Sequence, residues 1–80
     1  MKIRRKILNI FAVFEKASEG GYDVSFPTFP GCATFGKTFE EAKKYAREAL
    51  SLWLEEMKSS HLKIPKSFSR PIIDEVSVSI

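Results

Sequence analysis

The chain contains one cysteine, one histidine, four glycines and four prolines, and none of its apolar runs is long. Each scarcity excludes something. The lone Cys32 cannot close an internal disulfide and has no second thiol at metal-ligand spacing, so a reducing cytoplasm fits best. The low glycine and proline content excludes collagen-like and low-complexity chains. No stretch approaches the roughly 18 apolar residues that a membrane span needs. The N-terminus has basic residues followed by an apolar segment, as a secretory signal does. Asn9 interrupts that segment, however, Glu15 and Lys16 follow it directly, and no small-x-small site comes next, so removal is not expected.

Excess charge of either sign is also small. The net charge of +3 divides into +4 over residues 1–16, −3 over residues 17–57 and +2 over residues 58–80. The only dense basic cluster is Lys2, Arg4, Arg5 and Lys6, which suits an exposed strand end guarded against edge pairing. Hydrophobic residues make up 44% and charged residues 29%, the balance of an ordinary globular chain. A mass of 9.1 kDa predicts about 4,900 Å² of folded surface against about 13,200 Å² unfolded. Residues 1–80 therefore read as one domain with a marginal core, and a second subunit or a partner is expected to matter.

Along the chain, residues 7–14 are rich in Ile, Leu, Val and Phe and read as a strand buried on both faces. Glu19-Gly20-Gly21 turns the chain. Residues 22–26 then alternate, with Tyr22, Val24 and Phe26 on one face and Asp23 and Ser25 on the other, which predicts a hairpin. Pro27-Thr28-Phe29-Pro30-Gly31 cannot continue a ladder, because two prolines lack donors, and so forms a stiff surface loop. Residues 32–35 suit a short third strand.

Thr38-Phe39-Glu40-Glu41 is a capping box that opens a helix of about five turns, with Phe39, Ala42, Tyr45, Ala46, Ala49, Leu50, Trp53, Leu54 and Met57 on one stripe. Residues 59–71 read as a loop. Val76, Val78 and Ile80 alternate with Ser77 and Ser79 as a fourth strand. The expected fold is α+β, in the order β-β-β-α-β. One four-stranded mixed sheet, order 3-2-1-4, carries one long helix on one face, and the fourth strand lies parallel beside the first.

Chemistry-bearing constellations are sparse. His61 sits in a polar loop with no nucleophile or carboxylate near it, and reads as a solvated residue. Cys32 reads as a small buried apolar residue; a reactive thiolate would need a basic neighbour, and Lys37 is close in sequence. Metal-dependent hydrolysis needs converging carboxylates. The first strand has none, and only Asp23 and Asp74 are candidates to approach each other. Phosphate loops, dinucleotide fingerprints and the RNA-recognition aromatic pattern are absent. Neither catalysis nor a cofactor or metal is expected.

The stretch from Gly21 through Pro27 and Pro30-Gly31-Cys32, then Gly36-Lys37-Thr38-Phe39-Glu40-Glu41-Ala42 and Ala46-Arg47-Glu48-Ala49-Leu50, resembles the N-terminal domain of HicB-like antitoxins. Ile64-Pro65 matches as well. The resemblance implies a partial RNase-H-like fold without nuclease carboxylates, and a cytoplasmic antitoxin that masks a HicA-like mRNA-cleaving toxin. Thr28 stands where the family places a loop acid. With the chain ending at Ile80, no C-terminal DNA-binding domain is expected, nor operator binding by this chain alone.

Expected partner contacts are Asp23, Ser25, Pro27, Thr28, Phe29, Pro30 and Gly31, because rigid exposed loops carry binding more often than core residues do. Self-association into a homodimer or higher homo-oligomer is expected through strand edges or the open sheet face. The alternative function is a stand-alone nucleic-acid-binding module that uses Lys2, Arg4, Arg5 and Lys6 with the sheet.

Overall fold

The computed structural model describes residues 7–65 and 68–80, so the cluster Lys2, Arg4, Arg5 and Lys6 lies outside the described residues. Three strands, β1 (Val13–Lys16), β2 (Tyr22–Ser25) and β3 (Ala33–Gly36), precede one helix, α1 (Phe39–Ser59). The strands form an antiparallel sheet in the order β1-β2-β3. This gives the expected α+β arrangement and the 3-2-1 part of the expected strand order.

Two expectations need correction. The first strand begins at Val13 instead of Ile7, and residues 7–12 lie outside any strand. The cause lies in its partner. Val13 pairs with Ser25, after which Phe26 turns into the core and Pro27 has no N–H, so nothing remains for residues 7–12 to pair with on that side. Among the described residues there is also no fourth strand: residues 71–80 are irregular, and Ile72, Ile73, Val76, Val78 and Ile80 are each at least 78% exposed. Alternation specifies which side chains share a face, but a strand exists only where a ladder partner exists.

The hairpin register pairs Phe14 with Val24 and Glu15 with Asp23, and β3 then sets Thr34 against Val24 and Phe35 against Asp23. One face therefore carries Phe14, Tyr22 and Val24 toward the helix. The opposite face carries Val13, Glu15, Asp23, Ser25, Ala33 and Phe35. Residues 17–21 close the hairpin, with the Ala17 N–H donating to the Gly21 carbonyl at 3.0 Å.

Helix α1 starts as its capping box dictates. The Glu41 N–H donates to Thr38 Oγ1 at 3.1 Å, and the Glu41 carboxylate accepts from the Lys37 N–H at 2.9 Å, one residue earlier than the usual return contact. The joint into this helix is tight: a Cβ at Gly36 would collide with the backbone of Ala42. At the other end the Leu62 N–H bonds to the Met57 carbonyl at 2.8 Å and the His61 N–H to that of Lys58 at 3.1 Å. This is a Schellman ending, and His61 (φ 59°) occupies the left-handed position that glycine usually takes.

The core is Val24, Phe26, Phe29, Cys32, Ala42 and Ala46. The alanines let α1 approach the sheet closely, mainly over β3 and β2. The helix reaches β1 at its first turn, where Phe39 lies 4.9 Å from Phe14 and 5.8 Å from Tyr22, centroid to centroid. No helix among the described residues is long and apolar enough to cross a membrane.

Candidate protein-binding surface

The loop after β2 is built from two successive turns. The Phe29 N–H donates to the Phe26 carbonyl and the Cys32 N–H to the Phe29 carbonyl, both at 3.0 Å. In the second turn Pro30 presets φ at the first central position, and Gly31 supplies the positive φ of 121° that the next one requires. Phe29 fastens this loop from within. Its ring is 6% exposed and lies 6.1 Å from the Trp53 ring and 6.0 Å from that of Phe68.

The expected contact residues thus separate by role. Pro27, Pro30 and Gly31 are exposed and Thr28 is half-buried, whereas Phe29 is withdrawn into the core. Pro27 and Thr28 share a shallow cleft of about 380 Å³ with Pro65, Phe68, Ser69, Arg70 and Pro71. Asp23 and Ser25 are exposed on the open sheet face, three residues and one residue upstream of the buried Phe26 that leads into the loop. The sheet and the loop therefore form one continuous surface.

The register adds two residues to that surface that sequence reasoning missed. Glu15 lies directly opposite Asp23 on one side, and Phe35, 44% exposed, lies opposite Asp23 on the other. Two like charges directly across an antiparallel pair repel each other. The row Glu15-Asp23-Phe35 is anionic with an apolar end, suited to a cationic protein surface and unsuited to phosphates. Counting the hairpin pairs back from the Gly20-Gly21 turn would have found Glu15.

The remaining chemical candidates take structural places. The Cys32 thiol is buried, its Sγ lies 4.0 Å from the Ala49 carbonyl, and burial pushes its pKa up, which disfavours the thiolate. Asp74 accepts from the Glu75 N–H at 2.8 Å in the exposed C-terminal segment, whereas Asp23 lies on the sheet. Among the described residues, no group of three or more His, Cys, Asp or Glu side chains is placed to hold a metal ion.

Comparison with known proteins gives a consistent result. A family model described as a HicB-like antitoxin of a bacterial toxin-antitoxin system matches residues 10–77. A UPF0150 protein of Synechocystis sp. is 37% identical over 62 residues, 78% of each chain. A UPF0150 protein of Thermoplasma acidophilum is 37% identical over 60 residues, 75% of this chain and 87% of its own. An uncharacterised 14.9 kDa protein of Haemophilus phage HP1 is 43% identical over 53 residues, 66% of this chain and 39% of its own. No solved structure matches.

Proposed function

Because this chain belongs to the HicB-like antitoxin family of bacterial toxin-antitoxin systems, we propose that it neutralises a HicA-like, mRNA-cleaving toxin by binding it directly. The observation that carries this reading is the exposed Glu15–Asp23 carboxylate pair, which runs into the rigid turn of Pro27, Thr28, Pro30 and Gly31. A nuclease that grips RNA presents a cationic surface to phosphates, and two exposed carboxylates beside a stiff loop compete for it. In this reading residues 1–80 act as one binding module that needs no cofactor and performs no catalysis. Its place is the cytoplasm, where mRNA is found.

Bringing a cationic partner beside Glu15 and Asp23 relieves their mutual repulsion, so the like charges favour the complex over the free protein. The test is co-expression with the small reading frame adjacent in the genome. The expected outcome is a co-purifying complex and restored growth. Changing Glu15→Gln together with Asp23→Asn should weaken the complex at least tenfold and flatten its salt dependence. An unaltered affinity in that double variant would remove the carboxylates from the interface, and no complex with the wild-type chain would overturn the reading.

A further inference from the structure

The third member of the cross-strand row distinguishes a specific site from a generic negative patch. Asp23 faces Glu15 on β1 and Phe35 on β3, so all three side chains leave the same face of the sheet. Neighbouring strands lie about 4.8 Å apart, and the row therefore spans about 10 Å with Asp23 in the middle. The Phe35 ring has a defined seat. It leans diagonally across β2 onto Gly21, where a Cβ would collide with Phe35 Cζ, so the side chain that Gly21 lacks is what makes room for the ring. Phe35 nevertheless stays 44% exposed.

The chain covers two of its other rings with its own cations. Lys43 Nζ lies 5.8 Å from the Phe39 ring centroid, and the Arg70 guanidinium lies 5.1 Å from that of Phe11. Among the described residues no such cation lies over Phe35, although Asp23 and Glu15 stand in the same row, both exposed. An aromatic face beside carboxylates attracts a cation twice, through the ring quadrupole and through the negative charge.

We propose that this row takes one arginine side chain of the protein partner. The guanidinium plane lies on the Phe35 ring, its N–H fork donates to the Asp23 carboxylate, and Glu15 adds a second negative charge from β1. The inference rests on the neutralisation reading and deepens it, because Phe35 makes the site select arginine over lysine. A guanidinium is planar, weakly hydrated and able to stack while it donates a forked pair of hydrogen bonds. An ammonium is a compact, strongly hydrated charge that gives up more water to reach the same ring. Phosphates are repelled by both carboxylates, which sets a protein surface apart from a nucleic acid as the occupant.

The ¹⁵N-labelled full chain is titrated at low salt with a hexa-arginine and a hexa-lysine peptide, following the amides of β1, β2 and β3. Shifts should centre on Glu15, Asp23 and Phe35, and the arginine peptide should bind about two- to fivefold tighter, the value of one exposed cation–π contact. Phe35→Leu, checked for folding by circular dichroism, should bring the two affinities together by weakening the arginine peptide. Glu15→Gln with Asp23→Asn should weaken both peptides. In the co-expressed toxin complex, Phe35→Leu should lower affinity by the same factor of about two to five. Equal affinities for the two peptides, shifts centred on another face, or a preference that survives Phe35→Leu would overturn the proposal. A toxin complex indifferent to Phe35→Leu would overturn it too and leave neutralisation standing, whereas arginine preference without any toxin complex would overturn neutralisation and leave the arginine site standing.

Discussion

Replacing Phe29 with Ala separates the two roles that a phenylalanine in an exposed loop can have. A surface contact residue can be truncated at little cost to folding. Phe29 is instead 6% exposed and packed between the rings of Trp53 and Phe68. Removing such a ring costs about 3–5 kcal/mol, of which each aromatic contact supplies about 0.5–1.5 kcal/mol. The lower end applies here, because the neighbouring turn is solvent-exposed and can partly collapse into the space.

At about 4–8 °C per kcal/mol for a chain of this size, a loss of about 3 kcal/mol lowers the Tm by about 12–24 °C. Thermal unfolding followed by circular dichroism reads this directly. Trp53, the only tryptophan, reports the local change as a red-shifted emission. Phe35→Ala, on the open face, is the control and should stay within about 4 °C of wild type. Phe29→Leu, which keeps most of the volume, should cost under about 1.5 kcal/mol and leave partner affinity unchanged. A Phe29→Ala protein melting within about 4 °C of wild type would refute the reasoning and return Phe29 to the binding surface.

Other substitutions test other parts of the framework. Thr38→Ala removes the acceptor for the Glu41 N–H and should cost about 1 kcal/mol in urea denaturation, while Thr38→Ser should be near neutral. His61→Gly relieves the left-handed backbone at the helix end and should stabilise by about 0.5–1 kcal/mol, read as a raised denaturation midpoint. For Cys32, burial raises the folded-state pKa above the ordinary 9.0, so the folded chain holds the thiol proton more tightly than the unfolded chain does. That contribution is fully present below pH 9.0 and is lost as the pH rises through the folded value. The stability advantage of wild type over Cys32→Ala should therefore be constant at neutral pH and shrink under alkaline conditions.

Local signals in the sequence were legible where the interaction that fixes them is itself local. The capping box, the uninterrupted 3–4 spacing and the Tyr22-Asp23-Val24-Ser25 alternation each involve neighbours within a few residues, and α1 and β2 stand where they were read. The first strand was misplaced because its extent depends on where a partner strand stops, and Phe26 and Pro27 end that partner early. The fourth strand failed for a related reason: alternation in the last five residues states a preference for a half-buried face without saying whose surface provides it. In the site, two prolines and a glycine marked the loop correctly. Nothing in that composition distinguishes an outward ring from an anchoring one, and Phe29 turned inward because Trp53 is a long way off in sequence but adjacent in space. Glu15 entered the surface through the hairpin register, a pairwise property.

The tight joint between β3 and α1 also decides where the chain can be lengthened. At Gly36 even one methyl group meets the Ala42 backbone, and the following Lys37 N–H is committed to Glu41, so a peptide inserted between β3 and the helix would destroy both contacts. At Gly20, in the loop between β1 and β2, a Cβ would meet nothing within 4 Å, although the φ of 98° there calls for glycine, so a graft must keep Gly20 and not replace it. An epitope or a split reporter grafted at Gly20 should leave the domain folded, whereas the same graft between β3 and α1 should not. The hairpin tip is therefore an internal position at which this protein can be tagged and followed in living cells.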